Sequence, residues 1–146
     1  MIRIANQDDK EGVVCLIKAF FEEYVEGLGF AFDEEKVSTD FDLYIALNQI
    51  KVLVIDEGET LTGLLVVYIG EQPFFKGLMA DEMIWYVLPD HRRQGIKLLR
   101  ECENMCKQLG CEYINVCGFS GTKAENIYEK MGYKHLESKF IKKIGE

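Results

Sequence analysis

A basic turn that contains a glycine is the stretch of this sequence best suited to chemistry. Residues 83–88 are an apolar run that predicts a buried strand, and Pro89 ends it because proline cannot donate to a sheet ladder. Apolar residues from Ile96 to Met105 follow with the spacing of a helix. The unpaired N–H groups and the dipole of a helix start, next to the missing Cβ of Gly95, predict a seat for a bulky anion such as a phosphate.

Three basic side chains add positive charge around this turn, namely Arg92, Arg93 and Lys97. The glycine spacing is not the G-x-G-x-x-G fingerprint of dinucleotide-binding proteins, and the sequence has no G-x-x-x-x-G-K-[ST] loop. An ordinary strand-to-helix connection with solvated arginines is the alternative interpretation of the same residues.

The turn and its flanks resemble the signature of the GNAT superfamily of N-acetyltransferases, (Q/R)-x-x-G-x-(G/A) after a strand that ends V-x-P. Here it reads Arg92-Arg93-Gln94-Gly95-Ile96-Lys97 after Val87-Leu88-Pro89, with Lys97 in place of a small residue. Residues 124–133 resemble the late A-x-x-x-Y-x-x-x-G-(F/Y) segment of that family, although Gly121 stands where the family often has asparagine. The W-Y-V-x-P strand is also similar to that of short acetyltransferases from bacteria and their phages.

The resemblance implies that acetyl-CoA is the co-substrate. In that family its pantetheine arm lies between two splayed parallel strands and pairs with the backbone of the earlier one, here at Trp85 and Val87. The same resemblance places the pyrophosphate beside two arginines, Arg92 and Arg93. It also places it on the amides of the turn, at Gln94, Gly95, Ile96 and Lys97. An open strand edge and a helix N-terminus are physically suited to these roles.

Acetyl transfer to an amine requires a base for the ammonium and a proton for the departing thiolate. Glu82, on the strand before the turn, is the candidate base, directly or through water. Its neighbour Asp81 is the alternative, because a bulge would change which of the two faces the groove. Tyr128 is the candidate acid, because its hydroxyl can donate to the nascent sulfur. The structural alternatives are a solvated acid at a strand end and a packed aromatic ring.

The remaining patterns predict an α+β fold with a mixed central sheet flanked by helices, in the order β-α-α-β-β-β-α-β-α-β. The strands are expected at residues 1–5, 51–55, 61–69, 83–88, 112–117 and 133–144. Three helices are expected to begin near Asn6, Ser38 and Thr122, the last with a capping box. The crossover through the central helix makes strands 83–88 and 112–117 parallel neighbours. This order matches the GNAT order over one domain of residues 1–146.

Composition narrows the class of protein further. The chain of 146 residues is 48% hydrophobic and has a formal net charge of −8, which argues against binding to nucleic acid or to an anionic membrane surface. A cationic or amine-bearing substrate suits this charge, and so does a merely solvated acidic surface. The 5 cysteines form no C-x-x-C pair and only 2 histidines are present, so we expect reduced thiols and no metal site.

Without a signal peptide or an apolar run of about 20 residues, the sequence predicts a cytoplasmic protein. The leading hypothesis for its function is an acetyl-CoA-dependent N-acetyltransferase that acts on a primary amine of a small molecule or a protein. The main alternative is a non-catalytic acyl-CoA-binding or regulatory domain. A thiol-dependent enzyme and a plain protein-interaction domain are two further alternatives. Dimers formed through the last strands are common in the family that the sequence resembles, but the sequence alone does not establish one here.

Overall fold

Five strands form one mixed sheet in the computed structural model, which describes residues 1–119 and 121–145. In spatial and chain order they are β1 Ile2–Ile4, β2 Ile50–Asp56, β3 Leu61–Glu71, β4 Leu78–Val87 and β5 Cys111–Asn115. Neighbouring strands are antiparallel except β4 and β5, which are parallel as predicted. The helices are α1 Lys10–Tyr24, α2 Glu34–Ala46, α3 Gly95–Gln108 and α4 Lys123–Lys130. The predicted α+β architecture is confirmed.

The sheet separates two hydrophobic clusters, one on each face. On one face α1 and α2 pack through residues such as Val13 and Phe41, both fully buried. On the other face α3 packs through Leu98, Leu99 and Cys102, which are equally inaccessible. Alternate residues of the central strands serve the two clusters, so β4 is buried on both sides and holds a fixed position between the helices.

Strand β4 begins five residues earlier than predicted, at Leu78 instead of Met83. The adjacent acids Asp81 and Glu82 disfavour a strand by propensity, but pairing with β3 and β5 outweighs that preference. The earlier start means that both acids lie within the strand and not ahead of it.

One helix start and one helix cap also differ from the prediction. Helix α2 begins at Glu34, capped by Asp33, whose carboxylate accepts the N–H of Lys36 at 3.0 Å, so Ser38 lies inside the helix. Helix α4 follows Thr122 as expected, but the capping box is not formed. The Thr122 hydroxyl instead donates to the carbonyl of Phe119 at 2.7 Å.

The predicted last strand over residues 133–144 is wrong for this structure, where residues 133–143 have no regular secondary structure. Alternating apolar residues form a strand only where they pair with another strand, and none of the described strands pairs with this segment, although one edge of β5 is uncovered. Large apolar side chains there are consequently exposed, and they are Leu136, Phe140, Ile141 and Ile144. Among the helices described, none has the length and apolar character to cross a membrane.

Candidate active site

Strands β4 and β5 stop pairing part of the way along β4, which opens a cleft between them. Their pairs run from Leu78 with Cys111 to Asp81 with Asn115, whereas β4 continues to Val87. The later half of β4 therefore has no partner in β5. Such an edge offers backbone N–H and C=O groups to an extended ligand.

A bulge at Met83 determines which side chains of β4 face this cleft. The consecutive β3 residues Val66 and Val67 pair with Ile84 and Glu82, so Met83 is an extra residue in β4. A bulge reverses the alternation of side chains. Glu82 and the odd-numbered residues beyond the bulge thus lie on the face covered by α3 and α4, whereas Ile84 lies on the face covered by α1.

The carboxylate of Glu82 lies where the two strands separate. Its Oε2 accepts the backbone N–H of Cys117 at 2.8 Å and lies 3.2 Å from the hydroxyl of Tyr128. Burial raises the pKa of Glu82 to about 7, although both hydrogen bonds act to lower it. A carboxyl group that titrates near neutral pH has the proton affinity that a general base needs.

Tyr128 on α4 reaches into the same point from the other side of the cleft. Its hydroxyl donates to the carbonyl of Cys117 at 2.7 Å, and only 7% of the residue is exposed. Its ring packs against Trp85 with a centroid separation of 5.5 Å. Burial, and secondly the charge of Glu82, raise the pKa of Tyr128, so this hydroxyl stays protonated and remains a donor. The two predicted catalytic side chains are therefore brought together.

Asp81, the alternative base, is held elsewhere by amides. Its two carboxylate oxygens accept from Asn115 Nδ2 at 2.8 Å and from Gln72 Nε2 at 2.5 Å. The register of β4 and β5 places Asp81 beside Asn115 where the strands still pair, on the face opposite to that of Glu82. The bulge beyond them brings Glu82, and not Asp81, into line with the cleft-facing residues of the later half of β4.

The basic turn is a 3₁₀ helix, Pro89–Gln94, that continues directly into α3. The N–H of Gly95 donates to the carbonyl of Arg92 and is thus used within the turn. The missing Cβ of Gly95 would lie 3.3 Å from Cζ2 of Trp85. Glycine here therefore allows α3 to pack closely on β4, and its role in the approach of an anion stays a prediction.

Two side chains of the turn bind other parts of the protein. Arg92 donates through Nη2 to Glu23 on α1, and through Nε to the carbonyl of Val87 at 3.3 Å. Gln94 donates to Glu57, in the turn between β2 and β3, at 2.6 Å. Arg92, which the sequence placed beside the pyrophosphate, thus ties the turn to the first helix, and its contact with a pyrophosphate stays a prediction.

The other predicted cofactor contacts lie on β4 and at the start of α3. Arg93, Ile96 and Lys97 are exposed around the start of that helix. The side chains of Trp85 and Val87 pack under the helix, and their backbone belongs to the part of β4 that pairs with β3 but not with β5. The indole Nε1 of Trp85 is buried and has no hydrogen-bond partner among the described residues.

Sequence reasoning missed two residues that the geometry makes important. Glu23 accepts from Arg92 and also from the hydroxyl of Tyr86, the latter at 2.8 Å. Cys117 supplies both backbone groups that hold Glu82 and Tyr128. No local signal could have identified Glu23, which lies 69 residues from Arg92 in the chain.

An apolar pocket of about 240 Å³ lies on the opposite face of the sheet from α3. Side chains of α1, α2, β4 and the connection between the two helices line it, among them Ile17, Phe20, Phe21, Phe32, Val37 and Ile84. Ile84 follows the bulge directly, so the pocket lies next to the cleft along β4. Within the described residues no group of three or more histidine, cysteine or acidic side chains is arranged to hold a metal ion.

Comparison with known proteins identifies relatives of this architecture. The sequence model of the acetyltransferase (GNAT) family matches residues 17–133. No curated protein sequence matches the chain significantly. Among solved structures, a transcriptional regulator from Bacillus halodurans C-125 aligns with a TM-score of 0.83 and 18% identity, covering 99% of both chains.

Two further solved structures have names that mention acetyl transfer or CoA. A possible acetyltransferase from Clostridium difficile 630 aligns with a TM-score of 0.78 and 16% identity, over 100% of this chain and 98% of the other. AAC(6')-Iy, in complex with a bisubstrate analog, CoA-S-monomethyl-acetylneamine, aligns with a TM-score of 0.78 and 13% identity over 98% and 96%. At these identities the likeness concerns the fold.

Proposed function

Because this chain belongs to the acetyltransferase (GNAT) family, we propose that it transfers an acetyl group from acetyl-CoA to a primary amine by direct attack in a ternary complex. The observation that carries the proposal is the contact of Glu82 with Tyr128 at the point where β4 and β5 separate. Acetyl-CoA supplies the thioester carbon that the amine attacks. Holding both reactants in one cleft makes their reaction effectively unimolecular.

The residues present fit the co-substrate. The edge of β4 at Trp85 and Val87, which β5 leaves uncovered, suits the amide groups of a pantetheine arm, and the carbonyl of Val87 there already accepts from Arg92 at 3.3 Å. The start of α3, with Arg93 and Lys97 exposed beside it, suits the pyrophosphate. Arg92 contributes by holding the turn in place through Glu23. The backbone of β4 and of the start of α3, together with the exposed basic side chains, therefore binds the co-substrate.

Glu82 acts as the general base and Tyr128 as the general acid. With a pKa of about 7, Glu82 is partly ionised at neutral pH and can take a proton from the amine nitrogen, directly or through a water. Burial keeps Tyr128 protonated at neutral pH, so its hydroxyl is available as the donor to a departing thiolate.

The acceptor amine approaches from the face of the sheet that α1 and α2 cover. The apolar pocket next to Ile84 lies on that side, and its lining suits a nonpolar group attached to the amine. Its volume of about 240 Å³ exceeds that of a ~150 Å³ cavity known to hold benzene. Its lining includes both Asp33 and Lys36, so the preference for a cationic acceptor rests on the acidic net charge of −8.

The experiment that tests this function is thiol release from acetyl-CoA with a panel of primary amines, measured from pH 5 to 9. We expect amine-dependent release whose kcat/KM rises with pH in two steps, one near the pKa of Glu82, about 7, and one at the higher pKa of the amine itself. Glu82→Gln should abolish the step near pH 7 and leave the step that belongs to the amine. Tyr133→Phe is the control, because its hydroxyl bonds Glu103 and not Glu82. Calorimetric binding of acetyl-CoA without release by any amine would favour the non-catalytic acyl-CoA-binding domain.

The proposal includes association of two copies. Residues 133–143 have no partner strand, and Phe140 and Ile144 in this region are 94% and 93% exposed. The outer edge of β5 is unpaired among the described strands. Light scattering after gel filtration should give twice the mass of 16.8 kDa, and removal of residues 134–146 should return it to the monomer value.

A further inference from the structure

The candidate base and acid of this site are in direct contact. Glu82 Oε2 lies 3.2 Å from Tyr128 Oη, whereas Tyr128 Oη lies only 2.7 Å from the carbonyl of Cys117. Both the carbonyl and the carboxylate can accept the single proton of Tyr128, and because O–H···O bonds favour about 2.7–2.8 Å, the carbonyl is the preferred acceptor while Glu82 itself carries a proton. The lone pairs of Oη therefore remain available to the carboxyl group of Glu82 whenever that group carries a proton.

Tyr128 cannot lose its proton on its own. A tyrosinate here would be buried, with 7% of the residue exposed, and would lie against the carboxylate of Glu82. Both conditions destabilise the anion, which is why the pKa of Tyr128 is raised. A thiolate has a much lower proton affinity than such a tyrosinate. Donation from Tyr128 is thus favourable only if another proton reaches Oη at the same time.

We propose that Glu82 and Tyr128 form a proton relay, in which the proton that Glu82 takes from the amine nitrogen replaces the proton that Tyr128 gives to the leaving sulfur. This inference rests on the proposed function. It adds a direct proton transfer between the general base and the general acid, which those two roles do not by themselves require. If the base and the acid were not in contact, each would return to its starting protonation state by exchanging a proton with solvent. Here the contact and the burial of both groups make direct transfer the shorter route.

The protons balance over one turnover. The ammonium first releases one proton to solvent and becomes the free amine. As the N–C bond forms and the C–S bond breaks, the nitrogen gives a second proton to Glu82. Glu82 passes its carboxyl proton to Oη of Tyr128, and Tyr128 gives its hydroxyl proton to the sulfur. The products are an amide and a thiol, and both side chains return to their starting protonation states.

The first test needs neither substrate nor turnover. Carboxyl titration of Glu82 is followed in the ligand-free protein by NMR of δ-¹³C-glutamate, with Glu82→Gln to assign the signal. The hydrogen bond from Tyr128 lowers the pKa of Glu82, so Tyr128→Phe should raise the midpoint by about one pH unit from its value near 7. Tyr133→Phe should leave it unchanged. An unshifted midpoint in Tyr128→Phe overturns the relay at once.

The second test is a double-variant cycle on kcat with the best amine of the panel. A relay works as one unit, so Glu82→Gln with Tyr128→Phe should be no slower than the slower single variant. Independent roles predict that the two losses multiply, which would refute the relay while leaving the acetyltransferase function intact. If no amine releases thiol, the function itself fails and the relay fails with it, whatever the titration shows.

Discussion

The carboxylate of Glu82 accepts the backbone N–H of Cys117 at 2.8 Å, across the point where β4 and β5 separate. A side chain of one strand thus replaces the strand-to-strand bond that would otherwise form there. Tyr128 satisfies the carbonyl of the same residue at 2.7 Å. The end of the paired region is therefore closed by the two side chains proposed for catalysis, so substitutions at these positions report on folding as well as on rate.

The first prediction concerns stability and pH. The pKa of Glu82 is raised in the folded protein from 4.5 to about 7, mainly by burial. The unfolded chain therefore releases this proton from about pH 4.5 upward, whereas the folded chain keeps it to about pH 7. Glu82 consequently lowers the free energy of unfolding as pH rises through this window, by at most ~3 kcal/mol.

Urea unfolding of the wild type and Glu82→Gln, at pH 5 and pH 8, measures this effect. Glutamine can still accept from Cys117 but cannot ionise. We expect the variant to be the more stable of the two at pH 8, with the gap narrowing at pH 5. A gap of equal size at both pH values would mean that Glu82 titrates normally.

The second prediction concerns the pair of Arg92 and Glu23, which links the turn before α3 to α1. Both side chains are partly exposed, at 45% and 31%, so the pair contributes less than about 1 kcal/mol to stability. If Arg92 acts by holding the turn, Arg92→Lys and Glu23→Gln should each raise the KM for acetyl-CoA roughly 3-fold, the equivalent of about 0.6 kcal/mol, and leave kcat unchanged.

The double variant distinguishes this role from direct phosphate binding. With a shared role, Arg92→Lys combined with Glu23→Gln should raise the KM no further than either change alone. A guanidinium that bound phosphate would be released by Glu23→Gln, and the KM would then fall in that single variant.

The third prediction concerns Gly95, whose backbone is helical at φ −59° and ψ −44°. An alanine there gains helix propensity of at most ~1 kcal/mol but places its Cβ 3.3 Å from Trp85, so Gly95→Ala should be nearly neutral. Gly95→Leu should overpack the helix against the sheet and destabilise the protein by about 1–3 kcal/mol.

Thermal unfolding followed by the fluorescence of Trp85, the 1 tryptophan of the chain, measures both variants. Gly27→Leu is the control, since nothing lies within 4 Å of a Cβ at that position. A Gly95→Leu variant of full stability that no longer binds acetyl-CoA would show that the missing Cβ faces the co-substrate after all.

Periodicity and local signals were sufficient for most of the fold. The alternation of β2 and β3, the spacing of α3 and the parallel crossover to β5 all depend on near neighbours in the sequence, and all were predicted. The wrong elements depend on distant partners. Pairing extended β4 back to Leu78 in spite of two acids, and the absence of a partner left residues 133–143 without a strand.

The site shows the same division between local and distant information. The residue types that carry it, Glu82 and Tyr128, could be chosen from the sequence, and the position of the bulge that puts Glu82 on the same face as Trp85 and Val87 could not. A bulge is fixed by the register of two strands, and a methionine at position 83 does not indicate one. The packing of Gly95 against the ring of Trp85 was likewise not predictable, because it is a contact between residues of two different elements.

The last prediction concerns Lys97, which departs from the small residue of the GNAT signature and is exposed in the first turn of α3. An acid near a helix N-terminus is favourable by about 0.3–1 kcal/mol, so Lys97→Glu should stabilise the protein slightly. The same change places a negative charge beside the proposed pyrophosphate seat and should raise the Kd for acetyl-CoA roughly fivefold at low salt, the equivalent of about 1 kcal/mol. Added salt should shrink that difference, because exposed charges are screened.

Lys107→Glu, at the other end of α3, is the matched control for Lys97→Glu. The helix dipole there favours a positively charged side chain, so this variant should lose a little stability and keep its affinity for acetyl-CoA. The two reversals alter net charge equally, so a difference in Kd between them depends on position along the helix and not on the total charge. Calorimetric titration at two salt concentrations measures both, and equal Kd values would remove the start of α3 from the binding site.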